Sequence, residues 1–221
     1  MRFPSKISTE LAEEIGWHIG DGSMNFYKNR GKLKGFYQLR GHIKDDKEHY
    51  EKRIKVLFKK LFDIDIRLRE MHSTRVIGFQ IWDDKLIEFK KRFNLPLGKK
   101  TEIEIPKILL SKPNLKKAVI RGIFDTDGGI YLERKNNKLY PRLSITTISF
   151  NLSEQLLKIF SELGFCVTRY FQLYNKKFKR QRSYIINVRG VKMFHKFMKE
   201  ISPQNPKHQE KYERFLNSQN L

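Results

Sequence analysis

The sequence predicts an α+β fold made of two pseudo-symmetric halves, each running in the order αββαββα. Three observations predict it. Segments of helical and alternating periodicity follow one another in the same order twice. The opening helix of each half ends in the same acidic punctuation, Gly20-Asp21-Gly22 and Thr126-Asp127-Gly128. Each of those helices also carries small residues at four-residue steps, Ala12, Gly16 and Gly20 in the first and Ala118, Gly122 and Thr126 in the second. Residues four apart share one helix face, so both helices present a small-residue stripe in the same register.

In the first half, Ser8 or Thr9 is placed to cap a helix beginning near Glu10, with Glu10, Glu13 and Glu14 favouring its N-terminal end. Residues 24–30 and 35–44 read as strands around a turn at Gly31. In the second of them Gln38, Arg40, His42 and Lys44 share a wet face and Tyr37, Leu39 and Ile43 a buried one. Residues 45–62 have Tyr50, Ile54, Leu57, Phe58 and Leu61 at helical spacing, with Asp45 or Asp46 as N-cap. Strands are expected at 63–72 and 75–83, then a short helix stopped by Pro96 and Gly98.

The order then repeats. Asn114 or Ser111 caps a helix to Thr126. Residues 129–136 and 139–149 form a hairpin, 151–165 a helix with Leu156, Ile159, Phe160 and Leu163 on one side, 166–174 and 183–190 strands, and 191–201 a last helix. The expected division is 1–97, a connection at 98–113, and 114–221 with a C-terminal tail.

With 39% hydrophobic and 32% charged residues, the 221-residue chain can bury a core under a charged surface. Its net charge of +22 implies a polyanionic partner, and nucleic acid is the expected one. The positive charge is spread along the whole chain. A single cysteine, Cys166, excludes an internal disulfide and a cysteine-based zinc site. An intracellular protein is expected, with no signal peptide visible in residues 1–23 and no apolar run of membrane-spanning length. The polar strand faces are rich in Arg, Lys, Gln, Asn and Tyr, which suits contact with phosphates and base edges.

The small stripes predict that the two opening helices touch and bring Asp21 and Asp127 together at their C-terminal ends. Two carboxylates beside two negative helix ends are unfavourable alone and favourable around divalent cations. Hard oxygen ligands suit Mg²⁺, which completes its shell with water and phosphate. The residue types therefore point to metal-assisted phosphodiester hydrolysis.

IRGIFDTDG at 120–128 and EIGWHIGDG at 14–22 resemble the LAGLIDADG homing endonuclease family. Gly122, Asp125, Asp127 and Gly128 match in the second copy, and Gly16, Asp21 and Gly22 in the first. The KTEIEIP segment and the closing NPKHQEKYE are similar to archaeal single-chain members, so the resemblance covers nearly the whole chain. It implies that Asp21 and Asp127 are metal ligands, that Gly20 and Thr126 can add backbone carbonyls, and that the antiparallel sheets form a saddle along double-stranded DNA. It further implies a long asymmetric target cut with short 3′ overhangs and an enzyme that works as a monomer with no protein partner and no membrane. Mg²⁺ or Mn²⁺ would support cleavage and Ca²⁺ would bind without supporting it. Basic side chains around family sites organise water and phosphate. The nominations are His42, Lys44 and Lys100, with Thr146 as the counterpart of His42 and Lys44 in the second half. Base and phosphate contacts are expected from Gln38, Arg40, His42, Arg67, Arg69 and Gln80, and from Arg134, Arg142, Ser144, Thr146, Asn187 and Arg189. Ile19, standing where the second copy has Asp125, departs from the pattern at a variable position. The second reading is a noncatalytic nucleic-acid binder on the same scaffold, an intron maturase or a transcription regulator.

Overall fold

The computed structural model describes residues 1–29, 31–136, 138–173 and 182–219. Arg30, Tyr174 at the end of the expected strand 166–174, and the last two residues of the expected tail lie outside the described residues.

The first half comprises α1 (Thr9–Gly20), β1 (Gly22–Asn29), β2 (Lys32–His42), α2 (Ile43–His49), α3 (Lys55–Phe62), β3 (Arg69–Met71), β4 (Val76–Trp82) and α4 (Asp84–Lys91). The second comprises α5 (Pro113–Asp127), β5 (Gly128–Lys135), β6 (Lys138–Thr147), α6 (Phe150–Glu162), β7 (Val167–Gln172), β8 (Ser183–Arg189) and α7 (Val191–Glu200), and is followed by α8 (Pro206–Gln219). Each half forms one four-stranded antiparallel sheet, ordered β1-β2-β4-β3 and β5-β6-β8-β7. The duplication expected from the sequence is thus repeated in strand order.

Alternation fixes what each sheet buries. Tyr37, Leu39, Ile77 and Phe79 enter the core of the first half, and Ile130, Leu143, Ile145, Ile186 and Val188 that of the second. The opposite faces stay open. α1 and α5 pack against each other between the halves, with Ala12 and Ala118 fully buried. Ser8 caps α1, its Oγ accepting from Leu11 N at 3.2 Å.

Several elements differ from expectation. The helix after β2 starts at Ile43, because Asp46 Oδ2 accepts the His42 backbone N–H at 2.7 Å and turns the chain two residues early. α2 and α3 are joined by a π-helical turn, Tyr50–Ile54, not by uniform α-helix. Of residues 63–72 only Arg69–Met71 pair as a strand, at the sheet edge. α5 has Lys112 in its N-cap position, neither Asn114 nor Ser111, with Pro113 opening the helix. The tail is a helix, α8, which buries His208 and Phe215. The connection is packed as well: Ile103, Ile105 and Leu109 are buried.

The core also holds polar groups. Lys90 and Glu14 form a fully buried ion pair at 2.5 Å, with the Lys90 ammonium 4.6 Å from the Tyr37 ring centre. His18, expected to be packed or exposed, is packed against Tyr37, and Trp17 is core. His18, His49 and His208 are buried, and burial pushes all three below the ordinary histidine range, His49 to about 4. A histidine depressed in the folded state binds its proton first in the unfolded chain, so its contribution to stability is lost as pH falls. For His49 the window runs from about 6.5 to 4, or about 3 kcal/mol. Relative to wild type, His49→Gln should therefore gain about that much stability between pH 7 and 4. Denaturant midpoints of both proteins check this, and a pH-independent difference refutes it. Taking the difference cancels the buried carboxylates described next.

Candidate functional site

Asp21 is the C-cap residue of α1, its N–H donating to Trp17 O at 2.9 Å, and Asp127 is the last residue of α5. The small stripes bring these ends together. A methyl on Gly16 would lie 2.8 Å from Gly122 Cα, and one on Gly20 would run into the Thr126 side chain and stand 3.5 Å from Asp127 Cγ. Thr126 Oγ1 folds back onto its own helix, donating to the carbonyls of Gly122 and Ile123, each at 3.0 Å.

Asp127 is exposed where α5 meets β5, and Asp21 is half-buried beside it. Burial raises the Asp21 carboxyl well above the carboxylate range, and the neighbouring Asp127 and Asp46 charges raise it further. Surrounding protein raises Asp127 in the same direction, although its side chain is exposed, while Lys100 and Lys207 oppose the shift.

Lys100 reaches the C-terminal end of α1. Its Nζ donates to Ile19 O at 3.0 Å and, closer still, to Gly20 O, covering the C-terminal carbonyls of α1. The connection aims it there. Gly98 N donates to Met24 O at 2.8 Å in the first half, and Ser149 Oγ donates to Ile103 O at 2.8 Å in the second.

Lys207, which the sequence reading missed, supplies the other ammonium. It stands in the first turn of α8, with Nζ 2.8 Å from Asp46 Oδ1, and its charge lowers both Asp21 and Asp127. The Asn205 side chain donates to Asp46 Oδ1 at 2.8 Å and to Asp125 O at 2.9 Å. The Asp125 carboxylate accepts the backbone N–H groups of Gln204 and Asn205 at 3.0–3.1 Å. Asp125, whose carboxyl burial pushes up to about 7, therefore anchors the strap that carries Lys207. Its counterpart Ile19 is buried in the core. A signal for Lys207 was present in the duplication: Lys100 follows the last helix of its half, and Lys207 follows the last helix of the other.

The sheet faces opposite the core carry the other candidate contacts. Ser23, Gln38 and Gln80 pair across the first sheet, with Gln38 Nε2 donating to Ser23 Oγ at 2.9 Å, and Arg40 and Arg69 flank Gly78 in the adjoining row. In the second sheet Ser144 pairs with Asn187 and Arg142 with Arg189, beside Tyr131, Thr146 and Tyr170 around a groove of about 370 Å³. Both arginines are braced. Arg142 lies 5.9 Å from the Tyr131 ring centre and pairs with Glu133, and Arg189 lies 5.5 Å from the Tyr170 ring centre.

Four expectations are corrected. Lys44 stands on α2, off the sheet face, because the helix begins at Ile43. Arg134 pairs with Leu139 and shares the face of Ile130 and Leu132, so alternation points it away from the groove. Arg67 precedes β3 and pairs with no strand. Thr146 corresponds to Arg40, not to His42, since Gly22 pairs with Leu39 where Gly128 pairs with Ile145. His42 ends β2, exposed, with Nδ1 3.1 Å from Asp45 Oδ2.

Asp21 and Asp127 are candidate metal ligands. Among the described residues no group of three His, Cys, Asp or Glu side chains could hold a metal ion. Two carboxylates raised by burial, with Asp21 raised further by the Asp127 charge, are nonetheless a donor set that a hard divalent cation satisfies, with water and phosphate completing its shell. Because the Gly20 carbonyl accepts from Lys100, its role as a ligand requires that ammonium to move.

Comparison with known proteins places this geometry. Residues 114–202 match the family model of the LAGLIDADG-like domain. The chain resembles the crystal structure of I-DmoI in complex with DNA and Mn, with a TM-score of 0.63 and 18% identity over 89% of this chain and 97% of that one. It also resembles the I-LtrWI LAGLIDADG homing endonuclease bound to target DNA, with a TM-score of 0.64 and 14% identity over 94% and 88%. In sequence it is 31% identical over 127 residues to the replication factor C small subunit of Methanocaldococcus jannaschii, and 26% identical over 188 residues to a DNA polymerase of the same organism. Those matches cover 57% and 80% of this chain, which spans only 6% and 10% of the relatives' lengths. No described helix is long and apolar enough to cross a membrane. Residues 114–202 thus match a LAGLIDADG-like domain, and the chain as a whole has the two-subdomain fold of these LAGLIDADG structures.

Proposed function

We propose that the chain is a site-specific double-strand DNA endonuclease that hydrolyses phosphodiesters with Mg²⁺ and leaves short 3′ overhangs. The observation that carries this reading is the pairing of Asp21 and Asp127 at two converging helix ends, between two sheet faces that display arginines and amides. The division into 1–97, 98–113 and 114–221 then gives each half one carboxylate and one sheet. Because one chain supplies both carboxylates, a monomer suffices.

In this reading Asp21 and Asp127 hold the divalent cations. A bound cation supplies a water of lowered pKa and neutralises charge on the reacting phosphate oxygens. The chain does the rest. The sheet faces fix the duplex by its phosphates and base edges. Lys100 and Lys207 set ammoniums on either side of the carboxylates, where charge grows on the phosphate. Asp46 and Asn205 orient Lys207. A protein that only bound nucleic acid would gain nothing from two carboxylates placed where their charges oppose folding and repel phosphate.

Purified protein should linearise a plasmid from a target library in Mg²⁺ and not in EDTA. Tight RNA binding with no cleavage of any target would favour the maturase reading. Affinity for duplex DNA should fall by about 10³-fold or more between about 50 and 200 mM salt, as phosphate neutralisation releases counterions. A flat salt response would refute the nucleic-acid reading altogether.

A further inference from the structure

The two sheets match strand for strand, so positions at equal distance from the paired aspartates can be compared directly. Close to the site both halves present small or amide side chains: Ser23, Gln38 and Gln80 in one, Gly129, Ser144 and Asn187 in the other. One row further out the symmetry breaks. The first sheet aligns Asn25, Phe36 and Trp82, and the second aligns Tyr131, Arg142 and Arg189.

Phe36 and Trp82 touch with ring centres 4.7 Å apart, and Tyr27 closes the cluster at 5.6 Å from Phe36. Trp82 and Tyr27 are each 48% exposed on the sheet face opposite the core. The core lies on the other side of the sheet, so packing does not require these rings. The matching positions of the second sheet hold two guanidiniums, each set against a tyrosine ring, which costs them part of their freedom before any ligand arrives.

In the major groove an apolar side chain distinguishes thymine by its C5-methyl, and a guanidinium distinguishes guanine by O6 and N7. We infer that this outer row makes the two half-sites unlike: Phe36 and Trp82 select a thymine methyl, and Arg142 and Arg189 select a G·C pair at the mirror-related position. The amide rows nearer the aspartates ask for similar bases on both sides. This rests on the DNA endonuclease reading and names the residues that make its target asymmetric.

Selection from a randomised duplex library in EDTA gives the preferred sequence. It should carry thymine on one arm and guanine on the other, at equal distances from the centre. In that duplex, deoxyuridine in place of the thymine removes only the methyl and should weaken wild-type binding about fourfold. 7-Deazaguanine in place of the guanine removes N7 and should weaken it about tenfold. The methyl effect should vanish in Phe36→Ala/Trp82→Ala and the N7 effect in Arg142→Ala/Arg189→Ala, with thermal melting showing that both variants fold. An enriched sequence with the same base on both arms, or methyl and N7 effects that survive in these variants, overturns the inference while leaving the endonuclease reading intact. No enriched sequence at all overturns that reading and this one with it.

Discussion

Asp21→Asn and Asp127→Asn should each lower the cleavage rate by about 10³-fold or more, because in the proposed function each removes a cation ligand whose charge stabilisation amounts to several kcal/mol. Both variants should still bind the target, since the groove residues are untouched. A second readout separates this from simple damage. Burial holds both carboxyls above their ordinary range, the Asp127 charge raises Asp21 further, and in the unfolded chain that strain is absent. A carboxyl raised in the folded state is stabilising when protonated, and that stability is lost as pH rises through its folded value. At pH 8 and without metal, Asn removes the penalty, so each variant should melt at a higher temperature than wild type. Asp21→Asn should gain more, being the less exposed. Wild type should recover the difference on addition of Mg²⁺, in proportion to ligand binding, and the variants should respond much less. A variant that melts below wild type in EDTA, or that cleaves at the wild-type rate, would show that these carboxylates are not a metal pair.

What the sequence disclosed and what it withheld divide along a physical line. Periodicity records the partition between core and solvent, so the order of elements through α7, the buried face of β2, and the touching of α1 and α5 were all legible. Helix starts set by a single side-chain contact were not. Asp46 reads equally well as an N-cap and as the acceptor for His42 N–H, and the difference moved Lys44 from sheet to helix. Pairing register settles that Thr146 matches Arg40, whereas the face of Arg134 follows from its alternation with Ile130 and Leu132, a cue the sequence itself carries. The strap before α8 was read as tail because Asn205 and Lys207 take their meaning from Asp46, far away in the chain. Asp125 shows the same limit. In sequence it is a motif acid at a variable position with no role attached, and its partners are the backbone N–H groups of that strap.

Gly122→Val should be the most destabilising substitution on the helix pair. A Cβ on Gly122 would stand 2.9 Å from Gly16 Cα and closer than that to the Glu13 carbonyl oxygen, both backbone atoms of α1 that cannot turn aside. The helices must therefore separate. Overpacking of this kind costs about 1–3 kcal/mol for small additions, and a branched side chain between two backbones reaches or exceeds the upper end. Helix propensity returns less than about 1 kcal/mol of it, because leaving glycine favours the helix but valine is a poor helix former. The net loss, about 2 kcal/mol or more, corresponds to a fall of about 4–8 °C in melting temperature for a chain of this length. Gly122→Ala should show the smaller version, with propensity offsetting more of the clash. The loss should be larger in activity than in stability. The two helices carry Asp21 and Asp127 at their ends, so any separation is passed directly to the carboxylate pair. Measured at a temperature where the variant is still folded, cleavage should be nearly abolished while non-specific DNA binding persists. Unchanged cleavage in Gly122→Val would mean that close contact of α1 and α5 does not set the geometry of the site.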